Sequence, residues 1–163
     1  MAFAGKAVEA GVDGLVLVAA GAGGNTGNMT GFSFVPAVRE FFDGPVILGG
    51  GITDGAGIRA AEVLGADLAY MGTRFIAAKE SHAGDMYRQV IVEAKDTDTI
   101  VTRCYSGKTM RVFNNPYVQD WESRPQDIQP FPQQAILSPQ NNVMGGIGGQ
   151  IEGLERDRSC FAM

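Results

Sequence analysis

Short unbroken runs of apolar residues recur along the first half of the chain, and glycines follow each run. The runs cover residues 15–20, 46–48 and 68–71. Runs of this length without polar alternation are typical of strands covered on both faces, as in a parallel sheet beneath helices. The pattern therefore predicts three buried strands, each leading through a glycine-containing loop into a helix.

Apolar residues recur at helical spacing in four segments, namely residues 2–10, 35–42, 55–64 and about 84–95. Thr53 or Asp54 is expected to cap the third helix and Gly65 to end it, because glycine accepts the left-handed conformation that closes helices. Pro36 fits the first turn of the second helix. Strands that alternate with helices predict right-handed crossovers and a parallel sheet, either open or closed into a barrel.

After the last of these helices the pattern changes. Two short strands are predicted at residues 99–102 and 109–113, and five prolines then punctuate a stretch rich in Gln and Asn. We expect residues 114–150 to be irregular. The chain accordingly divides into a βα domain at residues 1–113 and an irregular C-terminal extension at residues 114–163.

Composition excludes several classes of protein. The 163 residues are 45% hydrophobic and 19% charged, with a mean hydropathy near zero, which is typical of a folded globular chain. The net charge of -5 provides no broad positive field for nucleic acid or anionic lipid. One histidine and two distant cysteines are too few for a zinc site. We expect a cytoplasmic protein with reduced thiols, no bound metal, and no nucleic-acid or membrane partner.

The 23 glycines are concentrated directly after the predicted strands. Ligands of parallel βα folds bind at the carboxyl ends of strands, where glycine lets backbone amides approach an anion closely. Residues 49–51 and the pair Gly72-Thr73 are therefore predicted to hold a phosphate, and loops after consecutive strands favour a barrel. The alternative is that these glycines only form tight turns. A dinucleotide fold is disfavoured because the third glycine of the first cluster, Gly27, comes one residue late for GxGxxG.

Three motifs resemble the nitronate monooxygenase (2-nitropropane dioxygenase) family: GAGGNTG at residues 21–27, PVILGGGI at residues 45–52 and ADLAYMGTRF at residues 66–75. The resemblance extends from about Gly11 to Asn115. It implies an α/β fold that is the C-terminal part of a (β/α)8 TIM-type barrel, with about three βα units, parallel strands and an irregular Pro/Gln-rich tail. The three strands would be the sixth, seventh and eighth of the barrel.

This resemblance implies FMN-dependent oxidation of alkyl nitronates, with a nitronate or nitroalkane and O2 as substrates. It implies that the phosphate and neighbouring parts of FMN contact Gly23, Gly24, Gly50, Gly51, Met71, Gly72 and Thr73. Many family members carry a histidine beside the flavin where this chain has Asn25. An amide hydrogen-bonds but does not exchange protons near neutral pH, so Asn25 would orient a preformed nitronate without abstracting a proton. The alternative is that Asn25 is a turn residue.

A complete (β/α)8 barrel has about 250 residues, so the motifs describe an architecture larger than this chain. We expect a piece of a larger flavoenzyme that is completed by self-association or by a separate N-terminal half. Two alternatives remain open. One is a catalytically silent FMN- or phosphate-binding or assembly fragment, and the other is a related FMN-type enoyl-acyl-carrier-protein reductase.

Overall fold

A parallel sheet and a later antiparallel hairpin belong to separate parts of the chain. The computed structural model describes residues 1–140 and divides into two units, residues 1–72 and the residues from Thr73 onward. No helix within residues 1–140 is long and apolar enough to span a bilayer. Because each unit has its own core, each is described by itself.

The first unit contains the predicted βα repeats. Its elements are α1 (Ala2–Glu9), β1 (Leu15–Val18), β2 (Gly24–Asn25), α2 (Gly31–Arg39), β3 (Val46–Gly49), α3 (Gly55–Leu64) and β4 (Leu68–Tyr70). Strands β1, β3 and β4 form one sheet in that order, and both pairings are parallel. The observed sheet thus confirms the predicted alternation of parallel strands and helices.

One face of this sheet forms the core of the unit. Leu17 of β1 and Leu48 of β3 are almost fully buried, and Val35 and Val38 of α2 and Ala61 of α3 belong to the same apolar cluster. Burial of these side chains fixes the helices on one side of the sheet, because apolar area removed from water stabilises by roughly 25 cal/mol per Å2.

The opposite face of the sheet is exposed. This open face consists of Val16, Val18, Ile47, Leu68 and Tyr70, which the strand register places on one side. Exposed fractions are 54% for Val16, 39% for Val18, 60% for Leu68 and 56% for Tyr70. The continuous apolar runs predicted burial on both faces, whereas the described chain covers only one. Because the open face also carries apolar residues, the sequence pattern does not distinguish a sheet covered on one face from a sheet covered on both.

Helix ends in the first unit follow the predicted signals in α3 but not in α2. The Asp54 carboxylate accepts a hydrogen bond from the Gly57 amide at 2.9 Å, and Gly65 ends α3 with φ of +104°. Helix α2 begins at Gly31, four residues before the predicted start. Pro36 therefore lies inside α2 and not in its first turn, where its missing N–H removes one helical hydrogen bond.

The second unit begins with two helices and a hairpin. Its elements are α4 (Thr73–Ile76), α5 (Asp85–Glu93), β5 (Thr99–Thr102), β6 (Met110–Phe113), α6 (Pro116–Glu122) and α7 (Gln133–Gln140), with 3-10 turns at Asp96–Asp98 and Pro125–Asp127. Strands β5 and β6 pair antiparallel. The two predicted strands are therefore present within one residue of their expected bounds.

Helices α6 and α7 occupy part of the stretch that was expected to be irregular. Pro116 is the first residue of α6, where its missing N–H costs no helical hydrogen bond, and Pro125 opens a 3-10 turn. Asn115 caps α6 by accepting from the Val118 amide at 2.9 Å. A proline that begins a helix and a proline that breaks one look alike in the sequence, which is why these helices were not predicted. Residues 141–150 of that stretch lie outside the described residues, and the domain boundary after residue 113 stays a prediction.

Candidate functional site

The glycine loops after β1 and β3 lie against each other at the carboxyl ends of the strands. A Cβ atom on Gly21 would lie 3.7 Å from the Gly51 Cα, and one on Gly50 would lie 2.8 Å from the Ala19 carbonyl oxygen. Gly50 also has φ of +123°, a conformation that side chains rarely adopt. A residue larger than glycine therefore does not fit at position 50.

Three backbone amides at this edge of the sheet have no hydrogen-bond acceptor among the described residues. They belong to Gly50 and Gly51 after β3 and to Gly72 after β4. Gly51 and Gly72 are exposed, and nothing lies within 4 Å of a Cβ built on Gly72. Because β3 and β4 are adjacent and parallel, these amides share the carboxyl edge of one sheet. Free amides in such a position are suited to bind an anion.

The N-terminus of α3 is already occupied by a carboxylate of the chain itself. Asp54 caps this helix through the Gly57 amide, so its negative charge lies where the helix dipole attracts anions. The Gly57 amide is therefore not free to bind an external anion, unlike the amides of Gly50, Gly51 and Gly72.

The loop after β1 contains three of the predicted site residues. Gly23 and Asn25 are exposed and Gly24 is half-buried with φ of +68°. The Asn25 side chain makes no hydrogen bond within residues 1–140, which leaves both its amide donor and its acceptor accessible. The loop is held at its base by Thr26, whose hydroxyl donates to the Ala19 carbonyl at 3.2 Å.

Met71 and Thr73 flank Gly72 in the chain. Met71 is half-buried at the end of β4, whereas Thr73 is exposed and begins α4 in the second unit. The structure therefore brings the loops of Gly21 and Gly51 into contact and puts Gly72 on the same edge. Within residues 1–140, no hydrogen bond joins the Asn25 side chain to Gly50, Gly51 or Gly72.

Two ionisable groups outside these loops, Asp67 and Cys104, are held by contacts within the fold. Hydrogen bonds from the Val46 amide and from Arg39 lower the pKa of Asp67, and this pair lies at the opposite, amino-terminal end of β3. Burial raises the pKa of the Cys104 thiol to about 11, which keeps it protonated and unreactive. Among residues 1–140, no three His, Cys, Asp or Glu side chains are grouped as metal ligands.

A model of the nitronate monooxygenase family matches residues 2–150, which is most of the chain. The chain belongs to the nitronate monooxygenase family. A probable nitronate monooxygenase of Staphylococcus aureus (strain JH9) is 38% identical over 140 residues, covering 80% of this chain and 39% of that relative. The family resemblance carried by the glycine motifs is thereby confirmed.

Solved structures agree with the family assignment. FabK from Thermotoga maritima is 33% identical, with a TM-score of 0.74, and the match covers 96% of this chain and 48% of FabK. A nitroalkane oxidase from Streptomyces ansochromogenes is 28% identical with a TM-score of 0.73, and the match covers 83% of this chain and 42% of the oxidase. Both are (β/α)8 barrels, so this member of the nitronate monooxygenase family has part of that fold. It spans about two fifths of the length of the Staphylococcus aureus relative.

Sequence reasoning missed two residues that shape the site. A Cβ on Gly27 would lie 2.2 Å from the Val18 carbonyl oxygen, so this glycine lets the loop close over β1. Tyr70 ends β4 on the open face, and its ring lies across Gly49. The motif glycines gave no signal for close approach at Gly27, but an aromatic residue directly before Met71-Gly72 was visible in the sequence.

Proposed function

We propose that this chain forms the phosphate-binding side of an FMN-dependent enzyme that oxidises alkyl nitronates, as part of a larger flavoenzyme. The supporting observation is the set of unpaired amides of Gly50, Gly51 and Gly72 at one edge of a parallel sheet. Further FMN contacts are proposed at Gly23, Gly24, Met71 and Thr73. The cytoplasm is the proposed location, since the two cysteines are widely separated in the sequence and Cys104 is a free thiol.

The phosphate of FMN fits the residues at this edge. It offers acceptor oxygens and negative charge, and the three amides offer N–H donors without competing acceptors. Gly50 packs against Ala19 so closely that no side chain intrudes between the loops. When bound, FMN would supply the redox chemistry by accepting electrons from the nitronate and passing them to O2.

Asn25 is the residue proposed to contact the substrate. Its exposed carboxamide donates and accepts hydrogen bonds but holds no proton to exchange near neutral pH. We therefore propose that it orients an anionic nitronate, and that a neutral nitroalkane, which must first lose a C–H proton, is a much poorer substrate. The exposure of Asn25 and the lack of a hydrogen-bond partner for its side chain within residues 1–140 support this role.

The open face supports the proposal that the chain works as part of a larger body. Parallel sheets are ordinarily covered on both faces, and an exposed face with Leu68 60% and Val16 54% accessible is unfavourable in water. A second copy of this chain or a separate N-terminal half is the proposed cover. The chain's match to less than half of FabK is consistent with either.

A catalytically silent binding or assembly fragment is the alternative function. It is favoured by two observations, namely the open face and an amide at position 25 in place of an ionisable side chain. A related FMN-type enoyl-acyl-carrier-protein reductase is the other enzymatic alternative. Turnover of propyl-2-nitronate by the FMN-loaded chain, measured as oxygen consumption, separates these functions.

The FMN site is tested by adding a carboxylate beside the glycine amides. Gly72→Asp introduces a negative charge where the structure leaves open space, so the chain should fold and lose FMN affinity by about 100-fold or more through repulsion of the phosphate. Gly72→Ala adds a methyl group without charge and should bind FMN nearly as the parent does. Affinity is measured by titration of flavin fluorescence.

Gly55→Asp is the matched control. Gly55 also has nothing within 4 Å of its Cβ position, but it lies in the first turn of α3, whose N-terminus Asp54 already caps. FMN affinity should be unchanged in this variant. Equal losses in Gly72→Asp and Gly55→Asp would move the phosphate to α3, and an unchanged affinity in Gly72→Asp would contradict the proposed site.

A further inference from the structure

Ala19 is the residue at which the loops after β1 and β3 meet. It is 1% exposed, and its amide donates to the Gly49 carbonyl at 2.8 Å, which continues the pairing of the two strands by one residue. A Cβ built on Gly50 would lie 2.8 Å from the Ala19 carbonyl oxygen, so Gly50 packs directly on this peptide group. Ala19 is therefore a buried, hydrogen-bonded point beside the proposed phosphate amides.

The loop that carries Asn25 is closed at its neck. The Ala20 amide donates to the Met29 carbonyl at 2.6 Å, which joins the two ends of residues 20–29. Compact loops whose ends lie together are held by their own side chains. Asn25 is exposed between these ends, so its position depends on how the loop is fastened to the sheet.

Thr26 is the side chain that fastens this loop to the sheet. Its hydroxyl donates to the Ala19 carbonyl at 3.2 Å, and the Ala22 amide donates to the same carbonyl at 3.3 Å. Within residues 1–140, no other side chain of residues 20–29 makes a hydrogen bond. Thr26 directly follows Asn25, so this bond acts one residue away from the carboxamide that is proposed to contact the substrate.

We propose that Thr26 is a positioning residue, which holds the Asn25 carboxamide in the orientation that binds a nitronate by anchoring the loop to the Ala19 carbonyl. This inference rests on the proposed function, because Asn25 must contact the nitronate for its position to matter. A released loop spends only a fraction of its time in the binding arrangement, which raises the apparent dissociation constant by the inverse of that fraction. Saturating substrate restores the arrangement, so the loss is expected in KM and not in kcat.

Replacement of Thr26 by valine removes the hydroxyl and keeps the branched shape. With FMN saturating, Thr26→Val should raise the KM for propyl-2-nitronate by about 3- to 10-fold and leave kcat within about twofold. The effect is moderate because the Ala19 carbonyl keeps its bond from the Ala22 amide. Thr26→Ser retains the hydroxyl and should have a KM within about twofold of the parent's. Oxygen consumption measures both constants.

The variant Asn25→Ala shows whether Thr26 acts through its neighbour. If it does, adding Thr26→Val to Asn25→Ala should change KM by less than about twofold, because the positioned side chain is already absent. Thr30→Val is the matched control, since the Thr30 hydroxyl pairs with the exposed Ser33 hydroxyl and not with the loop. This control should have the KM of the parent.

Amide hydrogen exchange of the full chain without FMN tests the anchor independently of turnover. Mass spectrometry should show at least about threefold faster exchange in residues 20–29 of Thr26→Val and no change in residues 31–39 of α2, because only the loop loses a hydrogen bond. Thr26→Ser should exchange as the parent does. Unchanged exchange in residues 20–29, or equal acceleration in both segments, would overturn the positioning role.

Failure of the inference and failure of the proposed function give different results. If the FMN-loaded parent oxidises the nitronate but Thr26→Val keeps the parent's KM, or loses kcat alone, then Thr26 does not position Asn25 and the proposed function stands. An equal rise of KM in the parent and in the Asn25→Ala background would also overturn the inference. If the FMN-loaded parent does not oxidise propyl-2-nitronate, both proposals are contradicted.

Discussion

In the first unit, three backbone amides at the strand ends lack acceptors among the described residues, and one apolar face of the sheet is exposed. In the described part of the second unit, by contrast, the buried polar side chains are hydrogen-bonded within the unit. There Gln134 is fully buried, and its side chain donates to the Cys104 carbonyl at 2.6 Å and accepts from the Gln129 amide at 3.0 Å. Ser138 is buried beside it and donates to the Tyr105 carbonyl at 2.6 Å.

The first unit thus has groups available to a ligand or to another protein surface, whereas the buried polar groups of the second unit are used within its own core. Amides without an internal acceptor are available to an external acceptor, and exposed apolar side chains are unfavourable in water until another surface covers them. A fully bonded buried network specifies one arrangement and offers no group to a ligand. The ligand chemistry is therefore proposed in the first unit, and the second unit is interpreted as structural support with its own core.

The largest expected effect distinguishes the two faces of the parallel sheet. Leu48 on the covered face is 4% exposed and Leu68 on the open face is 60% exposed. Leu48→Ala should lower the free energy of unfolding by about 2–5 kcal/mol, because it leaves a cavity in the core. Leu68→Ala should change it by no more than about 0.5 kcal/mol in the monomeric chain. Urea unfolding followed by circular dichroism measures both.

Sizing with light scattering shows whether the open face is covered in solution. Association that rises with concentration in the parent chain and disappears in Leu68→Asp would place a second copy on that face. A monomeric peak at all concentrations counts against self-association and leaves a separate N-terminal half as the proposed partner. A large destabilisation by Leu68→Ala in a monomer would instead mean that the chain covers this face itself, contrary to its exposure.

A smaller effect is expected from opening the polar network of the second unit. Gln134→Ala removes a donor and an acceptor and leaves the Cys104 carbonyl and the Gln129 amide with fewer partners. It should lower the free energy of unfolding by about 1–3 kcal/mol. The chain's single tryptophan, Trp121, is in the same unit, so its fluorescence reports the transition.

Gln133→Ala is the matched control for this network. Gln133 is exposed and adjacent on α7, so its replacement should change stability by no more than about 0.5 kcal/mol. Equal effects of the two variants would show that helix propensity, and not the buried hydrogen bonds, decides the result. A neutral Gln134→Ala would contradict the view that the network holds the second unit together.

Local signals predicted the elements whose ends are chemically marked. The bounds of α3 follow from an aspartate cap and a glycine stop, which are both visible in the sequence and both formed in the structure. The start of α2 is less clearly marked, because the Thr30 hydroxyl at its N-cap pairs with the Ser33 hydroxyl and does not cap a backbone amide. Proline is ambiguous in the same way, since Pro116 begins a helix that its presence seemed to exclude.

The pattern of apolar and polar residues did not predict the features of the site that depend on tertiary contacts. The sequence placed Gly50, Gly51 and Gly72 at strand ends, but whether their amides are free depends on which acceptors the folded chain brings near. Exposure of one sheet face was invisible as well, because a barrel interior and a helix-covered core both select apolar side chains. The family resemblance supplied what the local pattern did not, namely that these strands come from the end of a barrel.

The smallest effect concerns an ion pair that fastens the first unit at the amino-terminal end of β3. Arg39 donates to the Gly65 and Gly44 carbonyls and to Asp67, and the Asp67 carboxylate also accepts from the Val46 amide. These contacts stabilise the charged carboxylate and lower the pKa of Asp67 below its ordinary value of 3.8. The stabilisation is therefore present above about pH 4 and lost as the pH falls through the lowered pKa of the folded state.

Asp67→Asn should consequently lower the melting temperature near pH 7, and its difference from the parent should shrink as the pH falls through the lowered pKa of Asp67, where the parent's carboxyl becomes protonated too. Glu62→Gln is the control, because Glu62 pairs with Arg59 on the surface, where such a pair contributes little. Thermal unfolding followed by circular dichroism across this pH range measures the difference. A gap between Asp67→Asn and the parent that stays constant while the parent's carboxyl becomes protonated would mean that the carboxylate acts through its shape and hydrogen bonds, and not through its charge.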